Sequence, residues 1–207
     1  MILVKRKLFR MVGLLFPLVY LLSGLALPAW YDRIPVLLIL ALFIGWMLFL
    51  ESWRFRNPKV NRWLFERFKG FTKEKERDRV SSTTLFLTAA AVTIILFPRG
   101  VAMPALLFLT FGDPVAEIVG VNYGKLKVLR GKTLEGTLAG AAACFLAGAC
   151  LLPVKSLELT IPVLLVGAAA AALTELMPFP VDDNFTIPLG AGIAMLAAQA
   201  LLGPAVS

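Results

Sequence analysis

The sequence contains no histidine. That absence removes the side chain most often used for acid–base work near neutrality, and with it Ser-His-Asp triads and histidine metal sites. Cysteine is nearly missing too. Cys144 and Cys150 stand six apart in one apolar segment, on different sides of a helix, so neither a disulfide framework nor a thiolate metal site is supported. Acidic residues are the scarcer charge, with 13 Asp and Glu against 21 Lys and Arg. Any catalysis must therefore run on carboxylates, lysines, arginines and bound cations.

What the chain does have is apolar length. Hydrophobic residues make up 59% of its 207 positions, too many for a soluble domain of this size. They fall in runs of about twenty, the length that crosses a bilayer. The expected fold is all-α, a polytopic membrane protein forming a single integral-membrane domain over 1–207. About seven transmembrane helices are predicted, at 11–30, 34–53, 83–98, 101–123, 134–152, 159–177 and 185–202. The cluster Lys5, Arg6, Lys7 and Arg10 precedes the first run, which is rather long for a signal peptide and has no clean cleavage site.

A cytoplasmic N-terminus places every Lys and Arg except Arg33, Arg99 and Lys155 on the inner side, as the positive-inside rule requires. The net charge of +8 is thereby explained by topology and anionic headgroups, and no nucleic-acid partner is expected. Segment 54–82 mixes cations with Trp63, Leu64, Phe65, Phe68 and Phe71. It reads either as a cytoplasmic basic amphipathic helix on the membrane or as a solvated loop that sets orientation.

The stretch from Gly112 to Lys125 departs from ordinary membrane filler. Asp113 and Glu117 share one helical face inside an apolar segment, where carboxylates are costly and usually functional. Hard oxygen ligands of this kind suit Mg²⁺, which takes one or two carboxylates plus substrate phosphates. Gly112, Ala116, Gly120 and Gly124 recur at the same spacing. Gly120 and Gly124 could let phosphates approach the backbone, or the stripe could simply bring two helices together. Lys125, Arg130 and Lys132 are available to neutralise phosphate. Thr133 could cap the next helix, whose first amides suit an anion, and Glu135 suits the helix dipole. Asp182, Asp183 and Asn184 open the last span. One of them can cap it, and the others are candidates for a metal-ligand or base role, Asp183 foremost. Two P-loop echoes, Gly120 to Lys125 and Gly131-Lys132-Thr133, both fail at Leu126 and follow no strand.

The ordered set Gly112-Asp113-x-x-Ala116-x-x-x-Gly120-x-x-x-Gly124, Lys132-Thr133-x-Glu135-Gly136-Thr137 and Asp182-Asp183-Asn184-x-Thr186-Ile187-Pro188 resembles the CTP-dependent lipid kinase family. That family includes dolichol kinase, phytol kinase and the CTP-using diacylglycerol kinase, and is similar at a distance to the CDP-diacylglycerol synthases. Arg6-Lys7-Leu8-Phe9 also resembles its opening, with Arg10 where a histidine is often found.

The resemblance implies transfer of the γ-phosphate of CTP to a membrane-embedded alcohol, with Mg²⁺. It places Asp113 at the metal–phosphate centre and groups Gly112, Gly120, Gly124, Lys132, Thr133, Glu135 and Gly136 with the nucleotide. Asp182, Asp183 and Asn184 close the pocket, and Asp113 or Asp183 accepts the hydroxyl proton. Glu117, Asp182 and Asn184 join the two aspartates as candidate metal ligands. A polyprenol, phytol-like or diacylglycerol acceptor fits equally. The expected setting is a prokaryotic plasma membrane with the site facing the cytoplasm, and a homodimer is left open. Two rivals are phosphatidate cytidylyltransferase-like CDP-lipid synthesis and a non-enzymatic transporter, although no inverted repeat is visible.

Overall fold

A computed structural model of the chain describes residues 11–28, 31–68, 76–129, 131–179 and 181–202. Among the described residues every regular element is helical and no strand forms, as the sequence predicts. The chain divides into two compact units, Met1–Ala91 and Val92–Ser207.

In the first unit a 3₁₀ turn, Met11–Leu14, leads into α1, Leu15–Ala26. Helix α2, Ile34–Arg56, starts with Pro35 in its first turn, where the missing N–H costs nothing. Only Val36, Leu40, Glu51 and Arg54 of α2 are buried, and Leu38, Leu42, Trp46 and Phe49 stand outward. An apolar surface of that extent belongs in hydrocarbon, so the chain has the exterior of an integral membrane protein. Helix α3, Pro58–Arg67, follows after the single extended residue Asn57, whose side chain accepts the amides of Lys59 and Val60. Helix α4, Ser82–Leu96, carries the chain out of the unit.

Arg54 organises the polar end of this unit. Its guanidinium bonds Glu51 Oε2 at 2.9 and 2.5 Å and reaches the carbonyls of Glu76 at 3.0 Å, Arg77 at 3.1 Å and Arg79. Glu51 in turn accepts the Ser81 amide at 2.8 Å and the Thr84 hydroxyl at 3.1 Å. Both charged groups are buried, so each depends on the other and on these partners. The part of 54–82 that is described consists of the end of α2, helix α3 and a loop stapled at 76–81.

The second unit opens with α5, Arg99–Leu107, continuous through a π-helical turn, Phe108–Gly112, with α6, Asp113–Tyr123. A hairpin returns the chain to α7, Leu134–Ala149; α8, Ile161–Leu176, and α9, Asp183–Leu202, complete it. Its core gathers Met103, Leu106, Phe108, Leu109, Leu164, Ile187 and Met195. Phe108 fits between Gly148 and Gly167, where an added Cβ would lie 3.0 Å from its ring.

Among the described residues seven apolar helices fall where the seven spans are predicted. Three are long and apolar enough to cross a membrane: α2, the α5–α6 rod and α9. The others have 12, 15, 16 and 16 residues, below the roughly 20 needed.

Candidate active site

Asp113 owes its place to a local conflict in the rod. Pro114 cannot donate to the ladder, and its ring crowds the carbonyl four residues back. The helix widens to π geometry over Phe108–Gly112, immediately before it. Such single-turn widenings recur at functional sites. The Thr110 hydroxyl donates to the Leu106 carbonyl at 2.8 Å and occupies an acceptor in the disturbed stretch. Asp113 and, one turn on, Glu117 emerge half-buried.

The turn between α6 and α7 is a tight hairpin. The amide of Val128 donates to Lys132 O and that of Leu134 to Leu126 O, both at 2.8 Å, and Gly131 takes the left-handed φ of +76° that the reversal needs. Thr133 caps α7 through the Gly136 amide at 3.3 Å, as predicted. Glu135 accepts the Leu126 amide on both oxygens, at 3.2 and 3.3 Å, and so ties the hairpin to the helix it precedes.

This hairpin delivers Lys132 to the ends of α8 and α9. Its ammonium donates to Glu175 Oε1 at 2.7 Å and to the Glu175 carbonyl at 2.8 Å, and lies 3.8 Å from Asp183 Oδ2. Glu175 is only 7% exposed. Asp113 of α6 and Asp183 both act on it electrostatically. The hairpin, the end of α8 and the start of α9 thus converge on one lysine and two carboxylates.

The predicted residues divide unequally. Lys132 and Asp183 belong to this cluster, and Asp113 acts on its Glu175 from α6. Asp182 instead caps α9, its Oδ1 accepting the Asn184 amide at 2.9 Å and the Asn184 side-chain amide. Asn184 is buried at that helix start. The glycine stripe is used for packing between α6 and α7. A Cβ on Gly136 would meet the Ala116 carbonyl at 2.6 Å, and one on Gly140 the Ala116 Cβ at 2.8 Å. Gly112, Gly120 and Gly124 likewise back onto Cys144, Thr133 or Gly136 of the α7 side, so α6 and α7 touch almost backbone to backbone. Gly124, Lys125 and Glu135 still line a groove of about 470 Å³ with Asn122 and Tyr123. Arg130 lies outside the described residues, as do Arg6, Lys7 and Arg10.

Glu175 is the residue the sequence reading misses. The argument that singles out Asp113, an acid inside an apolar helix, applies to it equally. As to the expected metal, no group of three or more His, Cys, Asp or Glu among the described residues forms a ready cage. Carboxylates such as those of Asp113 and Asp183 are the hard oxygen donors that Mg²⁺ accepts beside phosphates.

No family model and no solved structure matches the chain. It is 23% identical over 190 residues to an uncharacterized protein of Rickettsia prowazekii, spanning 89% of each. It is 26% identical over 173 residues to a CTP-dependent diacylglycerol kinase of Saccharomyces cerevisiae, covering 73% of this chain and 60% of that protein. A CTP-dependent diacylglycerol kinase of Schizosaccharomyces pombe is 28% identical over 152 residues, 66% of this chain and 68% of its own. Over most of its length, then, the chain is distantly similar to CTP-dependent diacylglycerol kinases.

Proposed function

We propose that this protein is a CTP-dependent lipid kinase, which moves the γ-phosphoryl group of CTP to the hydroxyl of a membrane lipid alcohol. The observation that carries the reading is the meeting of Lys132 and Asp183 at buried Glu175, on which Asp113 also acts electrostatically. The similarity to two CTP-dependent diacylglycerol kinases supports CTP as the donor and a lipid alcohol as the acceptor. A diacylglycerol is therefore the first acceptor to test, ahead of polyprenol or phytol-like alcohols.

Phosphoryl transfer asks a protein mainly for positioning and charge neutralisation. Lys132 spends two donors on Glu175, which fixes its ammonium while leaving a third hydrogen for a phosphate oxygen. Mg²⁺, arriving with the triphosphate and held by Asp113 and Asp183, would neutralise charge building on the phosphates. One of those carboxylates accepts the proton of the lipid hydroxyl as its oxygen bonds phosphorus, and CDP leaves with the bridging oxygen. The groove at Asn122–Lys125 and Glu135 receives the rest of the nucleotide from water. In this reading the seven apolar helices all lie in the membrane, with the N-terminus and the site cytoplasmic.

Labelled CTP tests the proposal in detergent with magnesium. Label from the γ-position should enter diacylglycerol, and Asp113→Asn should abolish transfer while the protein still inserts and purifies. Entry of α-label would identify cytidylyl transfer instead, and activity retained by the variant would remove Asp113 from the chemistry.

A further inference from the structure

We propose that the side chain of Thr186 binds the hydroxyl of the acceptor lipid, an inference that rests on the kinase reading and adds the acceptor's side of the site. Two observations carry it. The first is what remains of the polar run that opens α9. Asp182 caps the helix, Asp183 meets Lys132, and Asn184, Ile187 and Pro188 are buried. Thr186 has no such use. Its side-chain oxygen is shut off from solvent, yet among the described residues it has no hydrogen-bond partner. Buried polar atoms are nearly always paired, so one left alone calls for an explanation.

The second observation is that this threonine cannot satisfy itself. A helical threonine can turn its hydroxyl onto the carbonyl four residues back. Thr88, Thr110, Thr137 and Thr174 all do so, at 2.8, 2.8, 3.0 and 2.6 Å. For Thr186 that carbonyl belongs to Asp182, and it already accepts the amides of Phe185 at 2.9 Å and of Thr186 at 3.2 Å. A carbonyl oxygen has two lone pairs, so both are taken. The Thr186 hydroxyl keeps its donor and its acceptor capacity for a group that the chain does not supply.

Position names that group. Thr186 stands three residues after Asp183, and helical side chains at this spacing are neighbours, with Cβ atoms about 5–6 Å apart. An oxygen held by both needs about 2.7–2.8 Å to each, which the spacing admits. Asp183 in turn lies 3.8 Å from the Lys132 ammonium, the cation set for the γ-phosphate. Thr186 is also roughly 4.5 Å further than Asp183 along a helix long and apolar enough to cross a bilayer, the direction from which a lipid arrives. A lipid alcohol fits both neighbours. Its oxygen accepts the Thr186 proton, its own proton passes to Asp183 as that oxygen bonds the γ-phosphorus, and CDP leaves with the bridging oxygen.

The test compares the full chain in phosphatidylcholine nanodiscs with Thr186→Val, which keeps the shape and loses the hydroxyl, and with Thr186→Ser, which keeps the hydroxyl. With γ-labelled CTP, kcat/KM for diacylglycerol should fall on the order of tenfold in Thr186→Val, the equivalent of one hydrogen bond, while KM for CTP holds. Thr186→Ser should recover most of the loss. Without added lipid alcohol, Thr186→Val should unfold at the same temperature as the parent or higher, because it removes a buried polar atom that has no partner. Diacylglycerol should raise the Tm of the parent more than the same lipid with its hydroxyl acetylated, and Thr186→Val should lose that distinction. Full activity in Thr186→Val, a lower Tm for that variant, or equal stabilisation of the parent by the two lipids would each overturn the inference. If the two lipids are distinguished but the parent transfers no γ-label, the kinase reading fails and the hydroxyl site stands.

Discussion

The Lys132–Glu175 pair makes an asymmetric prediction. Lys132→Met would leave the Glu175 carboxylate, 7% exposed, with its nearest cation gone and Asp113 and Asp183 still acting on it. Breaking a buried pair in this way typically costs about 3–5 kcal/mol. Glu175→Gln is milder. The amide oxygen can still accept from Lys132, the bond to the Glu175 carbonyl at 2.8 Å survives, and the lysine side chain is 27% exposed to water. Its cost should be about 1–2 kcal/mol, the scale of weakening a charged hydrogen bond. The double variant Lys132→Met, Glu175→Leu removes both charges and should recover most of the stability lost by Lys132→Met alone, because an apolar pair of similar volume is often neutral. It should not recover phosphoryl transfer. Unfolding in detergent, followed by near-UV circular dichroism, ranks the stabilities, and γ-label transfer ranks the activities. Should Lys132→Met prove no more damaging to stability than Glu175→Gln, or the double variant no better than the single, the ion pair is not what holds hairpin, α8 and α9 together.

Two further outcomes follow from the packing. Gly136→Ala sets a methyl group 2.6 Å from the Ala116 carbonyl, which is backbone and cannot move aside, so a loss of about 1–3 kcal/mol is expected; Gly45→Ala, with nothing within 4 Å, should be neutral or gain about 0.5–1 kcal/mol, and thermal unfolding compares them. Arg54→Met strands buried Glu51 and frees the carbonyls of 76–79, so trypsin should cut after Arg77 and Arg79 far faster than in the parent protein, as limited proteolysis would show.

Much of the fold could be read from the chain because apolar runs and helix starters are local signals. The predicted spans 34–53, 134–152 and 159–177 meet helices Ile34–Arg56, Leu134–Ala149 and Ile161–Leu176 within a few residues. Thr133 and the Asp-Asp-Asn run mark helix starts by side-chain chemistry that needs no distant partner. What could not be read depends on distance in sequence. Arg54 draws on carbonyls 22 to 25 residues away, which composition cannot foresee. Glu175, an acid at the end of an alanine-rich helix, could have been suspected from that setting, but its partner Lys132 lies 43 residues earlier and could not. The stripe of Gly112, Gly120 and Gly124 fits a phosphate cradle and a helix contact equally well, and the matching small face on α7 decides for the contact.

The widened turn at Phe108–Gly112 has a bearing on how this rod can evolve. A π turn amounts to one extra residue threaded into an α-helix, and one residue is about 100° of azimuth. Everything beyond it, Asp113 and Glu117 included, is turned by that amount relative to a plain helix begun at Arg99. The compass bearing of the acids is therefore written in residue count as much as in residue identity. Straightening the widened turn at full length would leave hydropathy untouched, yet it would swing both carboxylates by about 100°; losing one residue from Phe-Leu-Thr-Phe-Gly at the same time would bring them back.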